Sequence, residues 1–149
     1  MTNKPAYQPE GYQSVIPYLH VNGAAKLIAF MKEVFDAKEI AVYPRPDGTV
    51  GHAALRVGDS VIELADVSPE WPAMPCALQV YVPDTDAAYK RALKAGANSL
   101  LPPATQFYGD RTASVRDSSG NNWYIATQIE VVSREEVAKR LAAISQSKK

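Results

Sequence analysis

One pattern of elements occurs twice along this chain, and that repeat constrains the fold more than any single motif. Val21 falls on Val82 at an offset of 61 residues. His52-Ala53-Ala54-Leu55-Arg56 falls on Thr112-Ala113-Ser114-Val115-Arg116 at 60, and Val61-Ile62-Glu63-Leu64-Ala65 on Asn122-Trp123-Tyr124-Ile125-Ala126 at 61. Few residues are identical, but element order, spacing and apolar phase agree, which is how a duplicated supersecondary unit reads. In the first copy, alternation marks strands over 15–21, 39–43, 50–57 and 60–65. Between the first two strands, Ala24, Leu27, Ile28, Met31, Val34 and Phe35 form one apolar helical stripe behind Asn22-Gly23, with Asn22 as the candidate cap. Asp47-Gly48 and Gly58-Asp59 supply the turns.

The stretch from Asp66 to Pro75 holds Pro69, Pro72 and Pro75 around Trp71 and reads as a linker. The order then returns. A strand is expected over 76–82, a helix over 86–94 capped by Asp84 or Thr85 and ended by Gly96, and a short strand over 98–101 broken by Pro102-Pro103. Strands over 111–116 and 122–127 follow. Ser133, with Glu136 three residues on, starts a C-terminal helix running to about Ile144, and Ser145 to Lys149 reads as a frayed tail. The fold class is therefore α+β: two tandem β-α-β-β-β modules, about 13–66 and 76–130, within a single domain of residues 1–149, plus a helix over 133–144.

Composition narrows the function classes. Sixteen basic residues balance sixteen acidic ones, so the basic excess of a phosphate-gripping nucleic-acid binder is missing. No apolar run approaches the roughly 20 residues of a membrane span. Residues 1–11 are polar and do not read as a signal peptide. The single cysteine, Cys76, excludes an intramolecular disulfide, reads as an inert buried thiol, and suits a reducing, cytoplasmic setting.

Alternation also assigns the sheet faces. The apolar phase, including Leu19, Leu55, Leu64, Val80, Val115, Trp123 and Ile125, faces the helix of its module. The opposite phase carries Ile16, Tyr18 and His20; His52, Ala54 and Arg56; Glu63 and Ala65; Ala77, Gln79 and Tyr81; Thr112, Ser114 and Arg116; Asn122, Tyr124 and Ala126. A sheet face of tyrosine, histidine, arginine and glutamate suits the lining of a ligand cleft.

Paired β-α-β-β-β modules resemble the vicinal oxygen chelate superfamily of glyoxalase I, bleomycin-resistance proteins and extradiol dioxygenases. The segments Ile16-Pro17-Tyr18-Leu19, Gly51 to Ser60, Gln106-Phe107-Tyr108-Gly109-Asp110-Arg111 and Val115-Arg116-Asp117 are similar to its PhnB-like branch, as is Ala126-Thr127-Gln128-Ile129-Glu130, except that a histidine is usual where Gln128 stands. The resemblance covers about residues 13 to 141. It implies a homodimer and a divalent metal held from four strand positions, which fall here at Ile16, Glu63, Ala77 and Tyr124. Ile16 and Ala77 have no donor atoms and a neutral tyrosine is a poor ligand, so a dismantled metal site and no cofactor are expected. The rival metal reading uses His20, His52 and Glu63.

Candidate ligand-binding residues are thus Tyr18, His52, Glu63, Gln79, Tyr81, Tyr108, Arg111 and Tyr124. Glu63 is the candidate catalytic base, or else it pairs with Arg56 or Arg116. The segment from Tyr108 to Arg111 is a lid or rim in which Arg111 meets an anion and Tyr108 stacks, or else Asp110 pairs internally with an arginine. Trp71 caps a hydrophobic edge or a subunit contact, and Trp123 is core. Two functions compete: a protein that binds an aromatic or anionic small molecule, and a lyase, isomerase or dioxygenase-like enzyme working through His20, His52 and Glu63 by metal or acid-base chemistry.

Overall fold

The computed structural model describes residues 4–148. Among them, eight strands form two four-stranded sheets accompanied by three helices, the α+β arrangement of tandem modules and a terminal helix that the repeat implies. The chain divides between Cys76 and Ala77 into two compact units.

Unit 1 contains β1 (Tyr18–Val21), α1 (Ala24–Phe35), β2 (Lys38–Pro44), β3 (Val50–Val57) and β4 (Ser60–Asp66), in sheet order β1-β4-β3-β2. β1 lies parallel to β4, with Tyr18 opposite Glu63 and His20 opposite Ala65, and the other pairs are antiparallel. The crossover through α1 is what a parallel pair requires. α1 packs on β3 and β4 and buries the expected stripe plus Phe30, which meets Phe35 edge-on at 6.0 Å. The aromatic pair explains why Phe30, outside the stripe, is drawn inward.

The cap of α1 corrects the expectation for Asn22. The N-cap position is Gly23, with no side-chain bond of its own. Instead Asp66, at the end of β4, accepts from the backbone N–H groups of Gly23 and Ala24 at 3.0 and 2.9 Å, and from Val50 N at 2.7 Å. One carboxylate thereby neutralises the helix N-terminus and ties it to two strands.

Unit 2 contains β5 (Ala77–Tyr81), α2 (Thr85–Lys94), β6 (Asn98–Thr105), β7 (Asp110–Arg116), β8 (Asn122–Gln128) and α3 (Arg134–Ser147), in sheet order β5-β8-β7-β6. Asp84 caps α2 by accepting from Ala87 N at 3.0 Å. The expected break at Pro102-Pro103 does not occur: β6 runs through both prolines. It is an edge strand, irregular between Leu101 and Ala104, so the missing N–H groups cost no ladder bonds. Trp123 is fully buried, and its indole N–H reaches Asp117, which also accepts from the backbone of Ser119 and Asn121 and the side chain of Asn121. This network shapes the β7–β8 turn.

α3 is capped by Ser133, whose hydroxyl accepts from Glu136 N at 3.1 Å, and it extends to Ser147 rather than fraying at Ser145. Glu136 does not complete a reciprocal cap but binds Arg140, which also holds Glu130 and the Phe107 carbonyl. No helix among the described residues is long and apolar enough to cross a membrane.

Candidate functional site

The face of each sheet turned away from its helix pairs large side chains with small ones. Ala54 stands opposite Glu63, Ala65 opposite His20, Ser114 opposite Tyr124 and Ala126 opposite Thr112. The small members are buried, because directly opposed residues sit about 5 Å apart and the larger one overhangs the smaller.

In unit 1 this face gathers most of the titratable candidates. Tyr18 Oη lies 3.0 Å from His52 Nδ1, and His52 Nε2 lies 4.0 Å from Glu63 Oε1. Register sets Tyr18 of β1 beside Glu63 of β4, and His52, two residues before Ala54 on β3, reaches that pair diagonally. Burial pushes the Tyr18 phenol above its ordinary value, and the Glu63 carboxylate adds to this while Arg45 pulls the other way. Neither arginine proposed for Glu63 takes it: Arg56 donates to Gly11 O at 2.8 Å and Arg116 to Asn122 Oδ1 at 2.9 Å.

His20 sits two residues beyond Tyr18 on β1, stacked on Trp71 at 5.4 Å with planes 11° apart. Its buried Nδ1 has no hydrogen-bond partner among the described residues. Among the described residues no three His, Cys, Asp or Glu side chains converge closely enough to hold a metal, so His20, His52 and Glu63 do not form a ligand set. The four positions implied by resemblance fit a divalent ion no better. Ile16 and Ala77 end in hydrocarbon, and Ala77 stands opposite Asn122, whereas Tyr124 stands opposite Gln79. Ile16 and Glu63 do line one open cavity of about 280 Å³, together with Tyr7, Gln8 and Tyr12 of the N-terminal segment. That N-terminal segment is fastened by Gln13, whose amide exchanges two hydrogen bonds with the Val61 backbone at 2.7 and 3.0 Å, filling a ladder position where β1 has not yet begun. The segment has no periodicity, so nothing in the sequence announces it.

Unit 2 carries a different site. Gln79, Tyr108 and Tyr124 line a cavity of about 430 Å³ with Leu101, Gln106 and Ser114. Among the described residues no charged side chain lines it. Ser114 is 2% exposed, and among the described residues its hydroxyl has no hydrogen-bond partner, which is uncommon for a buried polar atom. Gln106 donates to Thr112 Oγ1 at 2.9 Å on the same wall.

The remaining candidates are engaged elsewhere. Arg111 is turned to α2, where its guanidinium meets the Asp86 carboxylate in a two-pronged pair at 2.9 and 3.0 Å. That pair holds the Asp86 carboxyl below its ordinary value. Tyr81 donates to Asp110 Oδ2 at 2.8 Å, which raises the phenol above its ordinary value, with burial adding to the effect. Asp110 thus pairs with a tyrosine, not an arginine. The loop before it is a pinned turn rather than a lid. Gly109, in the left-handed region at φ 102°, accepts from Ile129 N and Glu130 N, and a side chain there would meet the Glu130 carbonyl. Sequence reasoning missed Gln106 and Arg45, which sit beside turns outside the strand phases, and assigned Trp71 to a hydrophobic edge or a subunit contact without its stacking on His20.

Comparison with known proteins agrees with this architecture. The sequence pattern described as Glyoxalase/Bleomycin resistance protein/Dioxygenase superfamily matches residues 15–125. Protein Mb0911c of Mycobacterium bovis is 32% identical over 138 residues, covering 85% of this chain and 91% of its own. Among solved structures, TioX from Micromonospora sp. ML1 aligns with TM-score 0.66 at 23% identity, over 78% of this chain and 98% of that one. The PhnB protein from Bacillus cereus aligns with TM-score 0.57 at 17% identity, over 77% and 99%.

Proposed function

From the premise that the chain belongs to the glyoxalase/bleomycin resistance protein/dioxygenase superfamily, we propose that it is a small-molecule-binding protein whose ancestral metal site is degenerate. The ligand is an uncharged, flat molecule with a hydrogen-bonding edge, held in the unit 2 cavity. The observation that carries this is Ser114: a buried hydroxyl without a partner in the wall of a cavity that has apolar and neutral polar residues but no charge. Leaving such a group unpaired costs about 1–3 kcal/mol, which a ligand atom would recover. Tyr108 and Tyr124, each just over 40% exposed, offer stacking surfaces at little entropic cost. An anionic ligand is disfavoured at this site, since Arg111 is paired with Asp86 and Arg116 is bonded to Asn122. Of the family's metal positions, only Glu63 brings an obvious ligand, so the reading assigns no step to a metal.

The homodimer implied by the resemblance belongs to this reading. It is supported by α3, none of whose side chains is buried, and sedimentation showing a monomer at micromolar concentration would remove it. The test of binding is a thermal-shift screen of uncharged aromatic and heteroaromatic compounds. Hits should lose their shift in Ser114→Val and Tyr124→Ala. A screen without hits, or hits indifferent to both substitutions, would sink the proposal.

One geometric feature favours a second reading, acid-base catalysis in unit 1: the Tyr18–His52–Glu63 row. There Glu63 orients the imidazole and Tyr18 gives or receives the proton. Turnover abolished by both His52→Gln and Tyr18→Phe, while ligand binding in unit 2 persists, would establish it. Turnover that survives both changes would eliminate it.

A further inference from the structure

A continuous ladder of five rings crosses the face of unit 1: Trp71, His20, Tyr18, His52 and Tyr43. Successive centroids lie 5.4, 5.0, 5.8 and 6.2 Å apart. Beside the ladder opens a cavity of about 360 Å³, whose wall includes Tyr18, His20, Trp71 and Arg45. We propose that this cavity is a second small-molecule site, separate from the one in unit 2, and that it takes a planar organic anion of the aromatic carboxylate class.

Arg45 supplies the positive charge. Its guanidinium donates to three neutral acceptors, Thr49 Oγ1 at 3.3 Å, Val67 O at 3.1 Å and Asp66 O at 2.9 Å. Those bonds fix its plane and leave N–H donors to spare. The two nearby carboxylates, Asp66 and Asp47, are held by neutral donors, and among the described residues neither forms a direct ion pair with it. Asp66 also lines the cavity, but its two carboxylate oxygens accept three backbone N–H groups, two of them at the positive N-terminus of α1. Asp47 accepts from the Thr49 hydroxyl and backbone. A fixed guanidinium is the side chain best shaped to grip a carboxylate in two prongs.

The rings supply the rest. Trp71 is 62% exposed, yet it is placed by reciprocal backbone bonds with Ser68 and by stacking on His20. An exposed indole held in one orientation is a preformed stacking surface. His20 Nδ1 is buried without a partner, and a carboxylate oxygen seated beside Arg45 would bring the acceptor that the protein lacks.

Benzoate, benzamide and cyclohexanecarboxylate are the probes, titrated into the full-length protein by calorimetry and by tryptophan fluorescence. Trp71 reports on the site, because Trp123 is fully buried in unit 2. Benzoate should bind saturably and quench Trp71. Benzamide, which lacks the charge, and cyclohexanecarboxylate, which lacks the ring, should each bind about tenfold more weakly or worse. Trp71→Leu and Arg45→Lys should weaken benzoate by a similar factor, the first removing the stacking surface and the second the fork but not the charge. Ser114→Val should leave benzoate binding unchanged, which separates this site from the cavity of unit 2. No saturation below about 10 mM benzoate, equal binding of benzamide, or indifference to both Trp71→Leu and Arg45→Lys would each overturn the proposal. Arg45→Lys retains a cation at the two backbone carbonyls, and Trp71 is exposed, so neither variant depends on surviving a core mutation.

Discussion

The two units share one topology and spend their residues differently. In unit 1 the helix carries the bulk: α1 buries Leu27, Ile28, Phe30, Met31, Val34 and Phe35 and packs on β3 and β4, the latter with Ile62 in its buried phase. In unit 2 the helix is slim, burying Thr85, Ala88 and Ala92, and the strand residue equivalent to Ile62 is Trp123. Core volume has moved from helix to sheet at constant architecture, as close packing permits so long as the total is kept. The outer faces diverge as well. That of unit 1 concentrates rings, Glu63 and Arg45; that of unit 2 lines its cavity without a single charge. A duplicated scaffold has thus been left with two chemically distinct surfaces, since face chemistry is free to vary while the helix-facing phase is not.

The sharpest way to break this comparison is to remove its largest core residue. Trp123→Ala should cost about 4 kcal/mol in urea denaturation, against about 2.5 for Ile62→Ala, because it also strips a hydrogen bond from buried Asp117. Equal losses would mean that volume was not redistributed. Next come the helix caps, which use opposite strategies. Asp66→Ala should cost about 3 kcal/mol, since it orphans three backbone N–H groups on two elements. Asp84→Ala, a local cap, should cost about 1. If the two were equal, the tie from β4 to α1 would carry no energy of its own.

A smaller effect sharpens the account of Arg111. Hydrogen bonds from that guanidinium hold the Asp86 carboxyl below its ordinary value of 3.8, so the unfolded chain takes up this proton more readily than the folded one. The stabilisation is present above the ordinary value and is lost as pH falls through the lower folded value. Asp86→Asn should therefore lower Tm at pH 7 by a few degrees at most, as for a surface pair, with the gap to wild type closing below about pH 4. A gap that persists in acid would show that packing, not charge, holds α2 to β7. Smallest in any loss, Ser114→Ala should cost no more than about 0.5 kcal/mol and should instead raise stability by about 1 kcal/mol, because the hydroxyl has no partner to lose and its desolvation cost goes with it. A larger loss would reveal a bond that the cavity conceals.

Periodicity sufficed for much of this. A chain that alternates every two residues must put one phase against its helix, so the duplicated modules, the helix stripe of α1, the span of β3 and the cap at Ser133 were legible without coordinates. Phase alone also placed Tyr18, His52 and Glu63 on one face, and Gln79 and Tyr124 on another. What it left open were the partners. Arg111 looks like an anion anchor until Asp86 is seen 25 residues upstream, and Asn22 looks like a cap until Asp66 takes its place from β4. Pro102-Pro103 reads as a stop because the sequence does not show that β6 is an edge. Local pattern determines which way a side chain turns, since that follows from the backbone period. Only tertiary structure decides what the side chain meets, because hydrogen-bond and ring partners come from segments whose separation along the chain says nothing about their distance in space.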